Sequence, residues 1–352
     1  MKRKYKIIIA ALLAAVFLNA AGFFIKETYF TCGPKSGASS GQPGRTVFVI
    51  EKGQGFREVG SNLREAGLID SRFWFDVFVL ASGRRAKLQA GVYELSSDNT
   101  IAKIVKKISK GGVLEEKITI LEGWNIHDIA NYLQQKQIFS QDDFLTAAQE
   151  DGEELQDVFN SDSFLSFDFS KGNGRVAGLE GFLFPDTYEF AFGSSISDVL
   201  REILANFKVK IDDDLRSEIK KQGKSLYDVL IMASLLEKEV KTYEDKQVVA
   251  GILWKRLEND WPLQVDATIN YALGKPGARL SLDDLQFNSP YNTYRNKGLP
   301  PGPICNPGLE SIEAAVYYKE TSYWYYLSAS GGKTIFSQTF DQHKAAKAKY
   351  LN

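Results

Sequence analysis

Residues 7–25 read IIIAALLAAVFLNAAGFFI, 19 residues in which Asn19 is the only clearly polar side chain. At 1.5 Å per residue a helix of that length reaches roughly 28 Å, close to the thickness of bilayer hydrocarbon. Such a run either crosses a membrane or is removed, so it constrains the whole remaining chain. Lys2, Arg3, Lys4 and Lys6 precede it and Lys26 closes it. A secretory signal is the competing reading, but its apolar core usually runs about 7–15 residues. The length favours an uncleaved anchor, residues 1–26 with the cytoplasmic tip. The positive-inside rule keeps the basic end in the cytoplasm and sends residues 27–352 outward. The expected location is therefore the cytoplasmic membrane, crossed once through residues 7–25, with the C-terminal part on the extracytoplasmic side. Cys32 follows Tyr29, Phe30 and Thr31, which is not a lipoprotein cleavage pattern.

After the anchor, residues 33–45 read GPKSGASSGQPGR, with nothing apolar larger than Ala. A segment of this kind cannot offset its ordering entropy by burial, so residues 27–45 read as a flexible linker. The length of 352 residues leaves room for about two further domains. With 43 Lys+Arg against 44 Asp+Glu, the formal charge of -1 supplies no field that would attract nucleic acid. Two histidines (His127, His343) cannot build a multi-His metal cage, and two cysteines (Cys32, Cys305) make at most one bridge. No metal and no cofactor are expected.

Two stretches resemble each other: VIEKGQGFREVGSNLREAGLIDSRFW from Val49 and TILEGWNIHDIANYLQQKQIFSQDDF from Thr119. With a one-residue gap near the Gly, Glu51 matches Glu122, Gly53 matches Gly123, Leu63 matches Leu133 and Leu68 matches Ile138. Each reads as strand, Gly turn and helix. Ile126, Ile129, Ala130 and Leu133 keep helical spacing, as do Phe56, Val59 and Leu63. Between the copies, residues 90–112 predict a strand, a capped turn and a short helix ending at Gly111. A repeated βα unit of this kind resembles LysM-like domains, which recognise glycan strands. A plain spacer is the other reading. Residues 160–175, rich in Ser, Asp, Gly and Phe, mark a boundary between a repeated region at 46–165 and a second domain at 166–352.

In that second domain, residues 225–240 (SLYDVLIMASLLEKEV) predict a largely buried helix that ends in two carboxylates, Glu237 and Glu239. At 100° per residue these point about 200° apart, so they cannot face one bond as an acid/base pair. Helix geometry alone does not say which of them is chemical and which structural. Further helices are predicted over 196–209, 245–258 and 309–317, and a hairpin around Gly331 and Gly332. GLEGFLFPDTYEF places Glu180 and Asp186 among aromatics. QVDATINYALG sets Gln264, Asp266 and Thr268 at alternate positions, one face of an extended segment. NSPYNTYRNKGLPPGPICNPG is a Pro/Gly/Asn-rich loop carrying Tyr291, Asn292 and Tyr294. Aromatic faces beside Asn, Gln and Asp are the usual furniture of sugar sites, while turn formation and packing explain each piece separately.

Taken in order, EGFLFPDTY, ASLLEKE, LQVDATINYALG and SPYNTY followed by GLPPGPICNPG resemble the MltG (YceG-like) family of membrane-anchored endolytic murein transglycosylases. The likeness covers nearly the whole chain. It implies an α+β fold in which an N-terminal transmembrane helix and LysM-like βα modules precede a mixed α/β catalytic domain. It also implies cleavage of the MurNAc-β-1,4-GlcNAc bond within peptidoglycan glycan strands, leaving 1,6-anhydroMurNAc ends and terminating nascent strands. The second Glu of the E-K-E motif carries the catalytic role, here Glu239. Glu180, Gln264, Asp266, Thr268, Tyr291, Asn292 and Tyr294 would then line the groove, with Glu237 in a structural or supporting place. Peptidoglycan synthases in the same membrane are the protein partners it implies. One departure stands out: where many members carry a His two residues before the hairpin Phe, this chain has Thr334 before Phe336. A non-catalytic peptidoglycan-binding scaffold and a hydrolase using Glu239, a second carboxylate such as Asp266 and water are the alternatives.

Overall fold

The computed structural model describes residues 45–111, 114–149, 178–275, 277–329 and 332–351. The apolar run at 7–25, the linker, Cys32 and the boundary at 160–175 lie outside the described residues. No helix among the described residues is long and apolar enough to cross a membrane. The chain divides into two compact units, Met1–Glu116 with Glu189–Gly193, and Lys117–Tyr188 with Ser194–Asn352.

In the first unit β1 (Arg45–Ile50) runs antiparallel to β2 (Gly91–Ser96), with Phe48 opposite Tyr93. Strand alternation is plain: Phe48 and Ile50 are buried while Val47 and Val49 are half exposed. Helices α1 (Phe56–Glu65), α2 (Arg72–Ala81) and α3 (Ile101–Lys110) close over the inner face. They contribute Val59, Leu63, Phe75, Val79, Ile104 and Ile108 to one core. Helix α3 starts at Thr100, whose side chain accepts from Lys103 N–H, and stops at left-handed Gly111. The strand and capped helix expected between the two copies are thus present.

The second unit carries α4 (Ile126–Gln135), α5 (Gln141–Gln149), α6 (Ile196–Lys210), α7 (Asp213–Lys221), α8 (Leu226–Glu239), α9 (Tyr243–Glu258), α10 (Asp266–Leu273) and α11 (Leu309–Val316). Strand β3 (Glu115–Thr119) pairs with β4 (Thr187–Ala191). Antiparallel β5 (Tyr325–Ser328) and β6 (Thr334–Ser337) form the terminal hairpin, followed by α12 (Phe340–Tyr350). Helix α8 is the axis: Ser225 caps it, and every residue from Val229 to Leu236 is buried, so it is apolar all round rather than on one stripe. Helices α9, α10 and α11 pack against it.

The second βα copy belongs to this unit, not to the first, so the compact boundary falls at 116 rather than near 165. Its turn is bonded into the later motifs: Gly123 N–H donates to Asn306 O at 2.9 Å, and Asn306 Nδ2 donates to Trp124 O at 3.0 Å. Gly53 and Gly123 both adopt left-handed backbone (φ 94° and 77°), the conformation that the shared turn requires. The extended reading of residues 264–268 is corrected. Gln264 sits at φ 54°, which no strand runs through, and α10 begins at Asp266. Alternation over three polar residues was too short to separate strand from helix. Short α7 escapes a periodicity reading because Leu215 and Ile219 are its only buried residues.

Candidate active site

Helix α8 ends because Val240 turns to extended backbone (φ -141°, ψ 153°), leaving Glu239 on the last turn. Its carboxyl meets the start of α10. That helix has Val265 at its N-cap, a residue with no side-chain acceptor, so its first N–H groups need an outside partner. Ala267 N–H donates to Glu239, which caps α10 from another helix. From the hairpin, Tyr326 OH donates to Glu239 Oε2 at 3.1 Å. Burial pushes the Glu239 carboxyl up to about 7, and the negative Asp266 acts in the same direction. Tyr326, the Ala267 N–H and the Arg256 cation pull it back without overcoming burial. A carboxyl that is protonated in part at neutral pH, with two fixed donors, is built to give and take one proton.

Glu239 opens on a pocket of about 340 Å³ whose wall includes Lys238, Asp266, Asn270, Tyr271 and Asn125. Asp266 accepts from Tyr294 OH at 2.5 Å, which fixes its carboxylate. Arg256, buried in α9, donates to Trp324 O at 2.6 Å and to Leu263 O at 2.6 Å. It thereby holds the strand carrying Tyr326 and the approach to α10 together.

Glu237 faces elsewhere. Its Oε2 accepts from Gly308 N–H at 3.0 Å and Ser311 Oγ at 2.6 Å, both at the start of α11, and lies 3.6 Å from Lys246 Nζ. It is the cap of α11 and half of a buried ion pair.

Behind the pocket stands Glu180. Its Oε2 accepts from Ile126 N–H at 3.1 Å and Tyr271 OH at 3.3 Å, and its Oε1 from Asn306 Nδ2 at 3.1 Å. Burial pushes this carboxyl up to about 8. Asn306 Oδ1 accepts from Gly181 and Leu183 N–H, each at 2.9 Å, so one buried amide ties the EGFLFPDTY segment to the βα turn. Gly181 (φ 88°) is the only residue that fits there, since a Cβ would lie 2.5 Å from Pro303 Cγ.

Of the residues singled out in the sequence, Glu239 and Asp266 reach the pocket wall directly. Tyr294 acts on it through Asp266, and Glu180 through Tyr271. Tyr291 is buried against Tyr271, ring centroids 5.1 Å apart. Thr268 and Asn292 are corrected from groove lining to scaffold because both are buried with their polar atoms engaged inside the fold. Thr268 Oγ1 donates to Val265 O at 2.7 Å; Asn292 Nδ2 donates to Leu285 O and Phe287 O. Gln264 is exposed, and its backbone N–H, donating to Thr293 O, is what anchors it. The departing Thr334 donates to Asp245 Oδ2 at 2.7 Å, tying the hairpin to α9. Asp186 is held low by Thr187 N–H, Asn206 and Lys210 and stands among groups outside the pocket wall.

Tyr326, Tyr271, Arg256 and Asn306 were missed. Only Asn306 had a signal, its place between Cys305 and Pro307 in the Pro/Gly-rich loop. Cys305 itself is a buried free thiol donating to Ser234 O at 3.4 Å. No group of three His, Cys, Asp or Glu side chains among the described residues forms a metal site.

Comparison with known proteins gives one consistent answer. A family model described as the YceG-like family matches residues 48–349. An endolytic murein transglycosylase of Bacillus subtilis (strain 168) is 33% identical over 312 residues, covering 86% of this chain and 84% of that one. One from Streptococcus pneumoniae serotype 2 (strain D39) is 31% identical over 320 residues; the chain spans 58% of its length. A 2.6 Å crystal structure of a putative YceG-like protein from Listeria monocytogenes matches 87% of this chain and 100% of that chain, at a TM-score of 0.60 and 31% identity.

Proposed function

Because the chain belongs to the YceG-like family, we propose that it is a lytic transglycosylase acting on peptidoglycan, with Glu239 as its single proton-transfer group. The observation that carries this is the Glu239 carboxyl itself: enclosed, raised to about 7, and oriented by Tyr326 OH and Ala267 N–H at the wall of a pocket. In this reading the glycan lies across the pocket with a MurNAc-β-1,4-GlcNAc bond at Glu239. Protonated Glu239 gives its proton to the glycosidic oxygen as the C1–O bond breaks. The C6 hydroxyl of the muramyl sugar then bonds to C1, and its proton returns to Glu239. Atoms balance without water, and the products are a GlcNAc 4-hydroxyl and a 1,6-anhydroMurNAc end. No second carboxylate is needed to activate water.

Residues 7–25 anchor the enzyme in the cytoplasmic membrane with the catalytic unit outside, where growing strands and their synthases are the natural neighbours. Endolytic cleavage there would terminate strand growth. The LysM-like repeated βα region, residues 46–165, is the part expected to hold glycan.

Mass spectrometry of purified strands digested with the protein and with Glu239→Gln tests the chemistry. Anhydro ends from the native enzyme alone are the expected result. The hydrolase reading is favoured by one observation, Asp266 in the same pocket, and its products would be heavier by one water, about 18 Da. Folded protein that binds strands and cuts nothing would leave a scaffold.

A further inference from the structure

Asn270 sits in α10 on the wall of the Glu239 pocket. Its Nδ2 donates to Ala278 O at 3.1 Å, which fixes the way the amide faces. The residue is 9% exposed, and its Oδ1 is buried with no hydrogen-bond partner among the described residues. Folded proteins leave few buried polar atoms unpaired, and each exception calls for a reason. Other side-chain acceptors on this wall each have at least one donor: Glu239 has Tyr326 and Ala267, Asp266 has Tyr294, and Asn125 Oδ1 has Asp128 N–H. Asn270 Oδ1, on a residue of the same wall, has no donor among the described residues.

We propose that Asn270 is a specificity-determining residue whose Oδ1 accepts the amide N–H of a 2-acetamido group on the glycan held at Glu239. The inference rests on the transglycosylase reading for the ligand, and on the orphaned acceptor for the contact. The match is one of hydrogen-bonding type. One Nδ2 hydrogen is taken by Ala278 O, and the group left unmet is the acceptor, Oδ1. An amide N–H is a donor only and complements an unmet acceptor without bringing lone pairs of its own to satisfy. A site with a buried acceptor rejects a ligand that leaves it unpaired more strongly than an apolar wall rejects a wrong shape.

The experiment compares Asn270→Leu and Asn270→Ala with the native enzyme on purified strands, reading kcat/KM and melting temperature. The proposal expects kcat/KM to fall tenfold or more while melting temperature changes little, because losing the bond to Ala278 O is offset by removing an unpaired buried atom. Unchanged kcat/KM overturns it. So does a parallel fall in melting temperature and activity in both variants, the mark of a scaffold residue. If the native enzyme yields no anhydro ends, the proposed reaction fails, and binding still decides Asn270. In a Glu239→Gln background, Asn270→Leu should weaken strand binding about tenfold, and equal affinity overturns the contact. Chito- and cello-oligosaccharides as competitors separate the donors: a penalty confined to the acetamido sugars supports the N–H, and an equal penalty on both assigns the contact to a hydroxyl and overturns it.

Discussion

Glu237 and Glu239 leave the last turn of α8 about 200° apart, and what each meets differs in kind. Glu237 meets a lysine, a serine and the start of α11, which hold it still. Glu239 meets two neutral donors, a like charge and a desolvating pocket wall, and its pKa is raised. Identical side chains two residues apart are thus set apart by what packs against each face, one as a fastener and the other as the proposed proton carrier. The lesson is that a motif such as E-K-E names the candidates, and the neighbours assign the work.

The contrast makes its largest prediction at Glu239. Glu239→Gln should lower kcat on glycan strands by about 10³-fold or more, with folding intact by circular dichroism. Glu237→Ala should do the reverse, lowering unfolding free energy by about 3 kcal/mol because Lys246 is left buried and unpaired. Denaturant titration reads that loss, and below the shifted midpoint kcat should stay within about tenfold of native. A Glu237→Ala enzyme that is stable but inactive would break the division of labour.

Two smaller substitutions sharpen it. Tyr326→Phe removes a donor that lowers the Glu239 pKa, so the alkaline limb of kcat/KM against pH should move up from its place near 7, with a rate loss of about tenfold. Asp266→Asn removes a charge that raises it, so the same limb should move down. Shifts of one sign in both variants would mean that the limb reports another group.

The smallest effect is on stability. Glu239 and Glu180 have folded pKa values near 7 and 8, above the usual carboxyl value of 4.5. The folded protein therefore binds more protons than the unfolded chain between pH 4.5 and 8. The stabilisation from their neutral forms is complete below about 4.5 and is lost as pH rises through 7 and 8. Replacing either with Gln should flatten that decline and raise unfolding free energy at pH 8 by about 1–2 kcal/mol. Thermal melts across pH 5 to 9 measure it.

How much of this was legible in the chain depended on range. The strand, Gly turn and helix of both copies could be read because neighbours in sequence set them: Gly53, Gly123 and the apolar spacing of α1 and α4. The buried character of α8 and the hairpin were likewise local. What could not be read was where a second chain segment arrives. Nothing near Tyr326 announces that it reaches Glu239, 87 residues away. Nothing in the second copy says that its turn closes on Asn306, while the first copy's Gly53 and Gly55 have no neighbour within 4 Å of a virtual Cβ. The same code was written twice, and only long-range contacts separate the uses. Asp266 stands on the pocket wall at a helix start and not in the extended segment its spacing suggests, since a helix start presents its first side chain outward as readily as a strand does.

Arg256 carries a consequence for solution conditions. Its guanidinium holds both walls of the Glu239 carboxyl through backbone carbonyls of Leu263 and Trp324, not through carboxylates. Ion pairs loosen as salt shortens the Debye length from about 10 Å at 0.1 M to about 3 Å at 1 M, but the hydrogen bonds of this buried cation end on neutral carbonyls, which salt screens little. The orientation of the acid should therefore survive brine, leaving ionic strength to act on the encounter with the substrate and not on the proton transfer.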